Sequence, residues 1–337
     1  MTNDEIDRLI QQGKWPSACA SPTLIETHIS WVILCDDVVF KIKKPMQYPF
    51  LDFSTLERRK FFCEREVDLN RRLASEMYLG VVPIRYDSGR LCMGGPAGVV
   101  VDYAVQMKRM DSTKEMDVLL KQGKVAKLEI HNLASRIAEF HKNAPVIRNK
   151  DPFDIHDKFN DLLTVRGYLR DQLGPGIAGV IDEAIHATNA FFDAHMQLLK
   201  RRVEEGFIRD GHGDLHSRNI FLYDEPVIFD CIEFNDDYRQ TDVLNEVAFL
   251  CMDLDAFGRP DLSALFIESY NGLFPSMRNL EDEFLFRIFK AHRANVRAKV
   301  NALRARSAGD DIQRGQALEE SSRYLALMQS YFQQSAF

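Results

Sequence analysis

Two periodicities divide this chain. Over residues 23–42 apolar and β-branched residues come in short runs, Leu24-Ile25, Trp31-Val32-Ile33-Leu34 and Val38-Val39-Phe40, the last following an Asp36-Asp37 turn. Short runs bounded by polar bends predict three successive antiparallel strands. Further strand signal lies at 81–86, 91–93 and 99–105, with Gly94-Gly95-Pro96 as a turn. Two stretches read differently. Residues 3–13 place Ile6, Leu9 and Ile10 on one side of an amphipathic helix. Residues 54–75 predict a second helix, opened by Ser54-Thr55 with Glu57 three positions after the serine, a capping box.

After Met110 the apolar spacing becomes helical, over 125–142, 155–173, 178–205, 242–256, 261–272, 280–306 and 315–333. The only later strand signals are 220–222 and 227–229, which bracket a turn at Asp224-Glu225-Pro226. A β-rich first third followed by helices with one embedded hairpin predicts an α+β protein of two lobes, 1–110 and 111–337, with a cleft between them. No internal repeat and no G-x-x-x-x-G-K-[ST] loop is present, which argues against a P-loop ATPase.

Composition narrows the class. A chain of 337 residues with 45% hydrophobic and 28% charged residues is that of an ordinary globular protein. Its net charge of −7 argues against a nucleic-acid partner, whose electrostatic footprint would be basic. No apolar run approaches membrane-span length and the polar N-terminus is not a signal peptide. The six cysteines are scattered without a C-x-x-C pair, so free, mostly buried thiols in a cytoplasmic protein are expected.

The chemistry concentrates in His212-Gly213-Asp214-Leu215-His216-Ser217-Arg218-Asn219 and the Ile228-Phe229-Asp230 that follows. Phosphoryl transfer needs a base beside the attacking hydroxyl and oxygen ligands for the Mg²⁺ that neutralises the phosphates. Asp214 is the candidate base. Asn219, five residues on, and Asp230, at the end of the returning strand, are the candidate metal ligands. Glu233 is placed to add a contact nearby. His212 is read as a brace for the loop, and His216 as a contact to loop or substrate.

With these residues in place the chain resembles the aminoglycoside phosphotransferase/choline-kinase branch of the protein-kinase-like fold. That branch reads HGDxxxxN in the catalytic loop, and its metal-binding Asp lacks the Phe-Gly of DFG, as at Asp230-Cys231. The nearest resemblance is to bacterial aminoglycoside phosphotransferase-like proteins, often fused to a C-terminal P-loop ATPase. Segments similar to theirs are Lys41-Ile42-Lys43-Lys44-Pro45, Phe50-Leu51-Asp52-Phe53, 212–219 and 229–234. The resemblance implies a bilobal kinase-like fold, an ATP (or GTP) cofactor with Mg²⁺, and association with a P-loop ATPase.

It also implies a strand lysine on the phosphates, fixed by a helix glutamate. Lys41 and Lys43 lie on one strand face. Val39 two positions before Lys41 suits an adenine contact, so Lys41 is preferred and Lys43 is the fallback; Lys44 is read as a solvated strand end. The Cys63-Glu64-Arg65-Glu66 run resembles the family's E-R-E, whose second glutamate pairs with the lysine; that points to Glu66, with Glu64 as the alternative. The phosphate-covering turn at 27–30 has no glycine, leaving backbone N–H groups and the Ser30 hydroxyl as phosphate contacts. The hinge falls at 106–110, where Met107 and Met110 either flank adenine or fill core.

Two features bear on the acceptor and point to opposite charges. Glu233, Asp236, Asp237, Asp253 and Asp255 form an acidic set suited to an amine. Residues 287–306 hold seven Lys/Arg and no acid, with Lys290, Arg293, Arg297 and Arg304 on a helix face opposite Phe289, Val296, Val300 and Leu303. That stripe is read either as an anion site or as a solvated face. The expected function is Mg-ATP-dependent transfer to a hydroxyl of a small molecule. The alternative is a nucleotide-binding regulatory module without turnover. A protein kinase is disfavoured by the missing HRD, DFG and A-P-E.

Overall fold

The computed structural model describes residues 1–16, 19 and 21–333. Backbone contacts divide the chain into two compact units, Met1–Val118 with Asn219–Arg239, and Leu119–Arg218 with the residues from Gln240 onward. The division is not one cut after residue 110, because the segment from Asn219 packs with the first unit.

In the first unit, β1 (Thr23–Glu26), β2 (Ser30–Leu34), β3 (Val38–Lys43), β4 (Tyr78–Asp87), β5 (Arg90–Met93) and β6 (Val99–Lys108) form an antiparallel sheet in the order β1-β2-β3-β6-β4-β5. Strand alternation gives its faces different tasks. Trp31, Ile33, Phe40, Ile42 and Ala104 pack with Ile6 and Leu9 of α1 (Asn3–Gln12). Val39, Val105 and Met107 pack with Cys63, Val67 and Ala74 of α2 (Leu56–Ala74). Lys41 and Lys43 share a face with Val39, so the strand aims both ammonium groups toward α2.

The buried stripe of α2 runs Arg59, Cys63, Glu66, Val67, Asn70, Leu73 and Ala74. Three of these are polar, and each meets a charged or polar partner. Arg59 Nε donates to Asp102 at 2.8 Å, Asn70 Nδ2 donates to the Glu66 carbonyl at 2.8 Å, and Glu66 meets the lysines. A hairpin of β7 (Ile220–Phe221) and β8 (Val227–Ile228) completes the unit, with Phe221 stacked on Phe229 at 5.0 Å.

The second unit is helical. Its main elements are α3 (Lys127–Asn143), α4 (Leu163–Leu173), α5 (Gly176–Ala194), α6 (Val243–Ala256), α7 (Pro260–Leu273), α8 (Leu280–Ser307) and α9 (Asp311–Gln333). Ala291, Ala294, Ala298 and Ala302 give α8 a face of small residues against the Tyr324, Leu325, Met328 side of α9. That lets Ser321 Oγ reach the Ala298 carbonyl at 3.0 Å. A strand pair missed by the apolar pattern, Ile208–Asp210 with Gln240–Asp242, leads into the 211–219 loop.

Several expectations are corrected. The 155–173 pattern is two helices, Asp154–Asn160 and α4. The 178–205 pattern also breaks, at His195, into α5 and Met196–Glu204. The capping box at Ser54 is not formed. Thr55 is the N-cap and accepts from Arg58 N–H at 3.2 Å, while Ser54 bonds Asp52. Cys19 and Cys35 form a disulfide, contrary to six free thiols. The antiparallel pairing of β1 with β2 sets the chain before β1 beside the end of β2 and so brings together cysteines that sequence spacing does not pair, and cysteine usage no longer supports a reducing compartment. Among the described residues no helix is long and apolar enough to cross a membrane.

The cap shift is testable. Thr55→Ala is expected to lower stability by about 1 kcal/mol and Ser54→Ala by less, read from denaturant midpoints. Equal losses would return the cap to Ser54.

Candidate active site

The first unit gathers five charged side chains. Glu66 is fully buried, with Oε1 2.9 Å from Lys41 Nζ and Oε2 2.6 Å from Lys43 Nζ. Lys41 Nζ also lies 2.6 Å from Asp230 Oδ1, and Lys43 Nζ donates to Glu233. Exposure is graded along this chain of pairs: the side chains of Lys43 and Glu233 are 1% and 4% accessible, Lys41 13% and Asp230 44%. Only the Lys41–Asp230 end meets solvent. Glu64 points away, 53% exposed beside Lys60.

Burial disfavours charge on all the interior members, and pairing decides the outcome. It works against the Lys41 ammonium, yet Asp230, then Glu66 and Glu233, hold its pKa well above the ordinary value. Lys43 is likewise raised against burial by Glu233 and Glu66. Burial would raise Glu66, but Lys41 and Lys43 bring it below the usual carboxylate range. Burial prevails at Glu233 and pushes it up despite Lys43. Removing an enclosed member such as Lys43 or Glu66 leaves an uncompensated buried charge, a loss of about 3–5 kcal/mol for such groups.

Asp230 has φ +62°, a left-handed conformation uncommon outside glycine. Its N–H donates to Tyr78 Oη at 3.2 Å, and the next N–H, of Cys231, donates to Asn70 Oδ1 at 2.9 Å. At the other strand of the hairpin, Phe229 N–H donates to the Asn219 carbonyl at 3.0 Å, so Asn219 and Asp230 share one hairpin end. A carboxylate and an amide oxygen suit Mg²⁺, which binds through one or two protein oxygens plus substrate phosphates and water. Among the described residues no group of three or more His, Cys, Asp or Glu could hold a metal. A donor set of one carboxylate and one amide oxygen fits a metal that arrives with a phosphate ligand.

Other expected residues of this unit are placed less openly. Ser30 is fully buried and its hydroxyl has no partner among the described residues, so the accessible part of the turn is Thr27 and His28. Met107 is a core residue packed with Val39, Tyr78 and Phe221, and Met110 lies half-buried at the edge of that cluster with Phe229. Lys44 pairs with Glu26 at 2.6 Å.

Asp214 belongs to the second unit. His216 Nδ1 accepts from Arg218 N–H at 3.3 Å, which leaves its Nε2 to face Asp214 Oδ2 at 3.3 Å. His212 Nδ1 accepts from Asp214 N–H at 3.3 Å, so His212 braces the loop. Burial would raise Asp214, but His216, His212 and Arg297 hold it well below the usual carboxylate range. Beneath the loop, Glu246 Oε1 accepts from His212 N–H at 2.7 Å and Asp253 Oδ2 accepts from Ser217 N–H at 2.9 Å. Arg293 donates to the Gly213 carbonyl at 3.3 Å, and its pKa is pushed down to about 10 by burial.

These supports escaped the sequence reading. The signal was present, since Glu246 and Asp253 interrupt an α6 run buried from Val243 to Leu254, and buried carboxylates need partners. The basic stripe of α8 divides, with Arg304 exposed and Lys290 and Arg293 turned inward. Lys290 pairs with Asp255 at 2.8 Å and Arg293 is buried, while Val300 and Leu303 are 43% and 44% exposed. The acidic set is dispersed: Glu233 serves Lys43, Asp236 pairs with Arg65 and Arg239, and Asp253 holds Ser217.

Comparison with solved structures identifies the fold. A choline kinase from Cryptosporidium parvum matches with a TM-score of 0.53 at 11% identity, over 95% of this chain and 92% of that one. A choline/ethanolamine kinase family protein from Mesorhizobium loti matches at 0.51 and 12% identity, over 98% and 100%. The chain carries the protein-kinase-like fold that these kinases share. An uncharacterised protein of Mycobacterium tuberculosis is 33% identical over 286 residues, covering 83% of this chain and 54% of the relative. The chain thus spans about half the length of the curated relatives it matches. No protein-family model matches it.

Two outcomes check the loop. A Cβ on Gly211 would sit 1.7 Å from Glu246 Oε2, whereas one on Gly179 in α5 meets nothing within 4 Å. Gly211→Ala should cost about 1–3 kcal/mol while Gly179→Ala is neutral or stabilising by up to about 1 kcal/mol, in matched denaturant melts. The second outcome concerns acid. With its folded pKa below the unfolded one, Asp214 contributes stability that is complete above about pH 4 and is lost as pH falls through the folded value. Asp214→Asn should therefore flatten the fall of stability with pH below about 4. An unchanged slope would deny the pairing with His216.

Proposed function

We propose that the chain is a Mg-ATP-dependent phosphotransferase that moves the γ-phosphate to a hydroxyl of a small-molecule acceptor. The observation that carries this reading is the graded chain of ion pairs in the first unit. A buried Glu66 fixes Lys41, and Lys41 meets Asp230 at the one end open to solvent. An ammonium held beside a metal-binding carboxylate is what phosphates of a metal–nucleotide require. Met110 and Phe229, partly buried at the edge of the Val39, Met107 and Phe221 core, offer an apolar rim for the base of the nucleotide. The choline and ethanolamine kinases that share the fold add support.

In this reading Lys41 holds the phosphates, and Asn219 and Asp230 hold Mg²⁺. When bound, Mg²⁺ neutralises charge on the phosphates and on the departing β–γ bridging oxygen. Asp214 accepts the hydrogen bond of the acceptor hydroxyl and orients its oxygen on the γ-phosphorus. A carboxylate held so far below the usual range is a weak base, so it takes the proton only as the new P–O bond forms. The bond from γ-phosphorus to the bridging oxygen breaks, and ADP leaves with the electron pair. Asp214 then returns its proton to water.

The test is ADP release from Mg-ATP across a panel of sugars, amino alcohols and aminoglycosides. Asp214→Asn should lower acceptor-stimulated turnover by about a hundredfold or more, and Lys41→Met should weaken Mg-ATP binding. Tight binding without Asp214-dependent turnover would instead support a nucleotide-binding regulatory module. Mg-ATP binding unaffected by both Asn219→Ala and Asp230→Ala would remove the metal assignment.

A further inference from the structure

The strand of this fold needs one lysine for the nucleotide, and this chain sets two on the same face, of which only Lys43 is buried. Lys43 cannot serve phosphate where it stands. Its side chain is 1% accessible and its Nζ lies 4.8 Å from the Phe53 ring centroid. Glu66 and Glu233 take its hydrogen bonds.

We propose that Lys43 is a positioning residue, which by holding Glu66 and Glu233 together ties α2 to the 230–233 segment and fixes where Lys41 and Asp230 meet a metal–nucleotide. The inference rests on the phosphotransferase reading above. Asp230 sits in a left-handed conformation at φ +62°, which persists only where its surroundings over-determine it. Three tethers do so. Tyr78 Oη accepts from Asp230 N–H, Asn70 Oδ1 accepts from Cys231 N–H, and Lys43 holds the Glu233 side chain. Two of the three run to α2 through neighbouring residues, since Asn70 also donates to the Glu66 carbonyl.

Lys43 also decides how Lys41 is shared. Glu66 gives one carboxylate oxygen to each lysine. Without Lys43, Glu66 and Glu233 would be two enclosed carboxylates whose nearest cation is Lys41. The Lys41 ammonium would be drawn inward, away from Asp230 and from any phosphate. A lysine that never touches the ligand thereby keeps another one available to it.

The test uses the full chain and Mg-ADP, by titration calorimetry over a series of Mg²⁺ concentrations, with ADP in EDTA as reference and thermal melting alongside. Lys43→Met, Glu233→Gln and the double variant Lys43→Met/Glu233→Gln should each weaken Mg-ADP binding about tenfold, while ADP in EDTA changes little. The double variant should resemble the singles, because all three cut one tie. Should Lys43→Met fail to fold, Glu233→Gln alone still decides. A lowered melting temperature with wild-type Mg-ADP affinity would reduce Lys43 to a structural ion pair, as would losses that multiply to about a hundredfold in the double variant. No Mg-ADP binding by the wild-type chain would overturn this inference and the phosphotransferase reading together.

Discussion

Glu66 shared between two lysines is the interaction on which the first unit turns. A fully buried carboxylate is costly to desolvate, and a single ammonium partner would leave half of its hydrogen-bonding capacity unused. Here each oxygen has its own lysine. The arrangement dictates much around it: lysines two apart on β3, an α2 stripe that admits Arg59, Glu66 and Asn70 among apolar residues, and a Glu233 that gives Lys43 its second partner. Solvent reaches only Lys41 and Asp230, so the ligand-facing chemistry is confined to one end of an otherwise closed network.

The second unit solves a different problem with the same means. The 211–219 loop must hold Asp214 ionised in a fixed place, with Gly213 at φ +87°. Glu246 and Asp253, seven residues apart on α6, accept the loop's N–H groups, and Arg293 of α8 donates to its carbonyl. Gly211 is required because the Glu246 carboxylate occupies the space of a side chain. Two helices that look like core elements are thus also the mounting of the loop.

The sequence made much of this legible. The β3 lysines, the 212–219 spacing and the alternation of strands identified the elements, and the sheet and hairpin fall where the apolar runs lie. What stayed hidden has common physical causes. Strand periodicity puts Lys41 and Lys43 on one face but does not tell which is enclosed, since that depends on where Glu233 returns along the chain. Helical periodicity found the basic stripe of α8 but left it between an anion site and a solvated face; Lys290 and Arg293 instead find acceptors on α6, which no local pattern encodes. The Cys19–Cys35 pair and the ribbon of Ile208–Asp210 with Gln240–Asp242 depend on contacts that no local pattern encodes.

The division of labour between the two lysines is the central claim, and a crystal structure of the chain with Mg-ADP tests it most directly. The account predicts Lys41 Nζ on a phosphate oxygen with Glu66 still beside it, Asp230 turned to the metal, and Lys43 unmoved between Glu66 and Glu233. A phosphate held by Lys43, or a nucleotide bound away from both lysines, would contradict it.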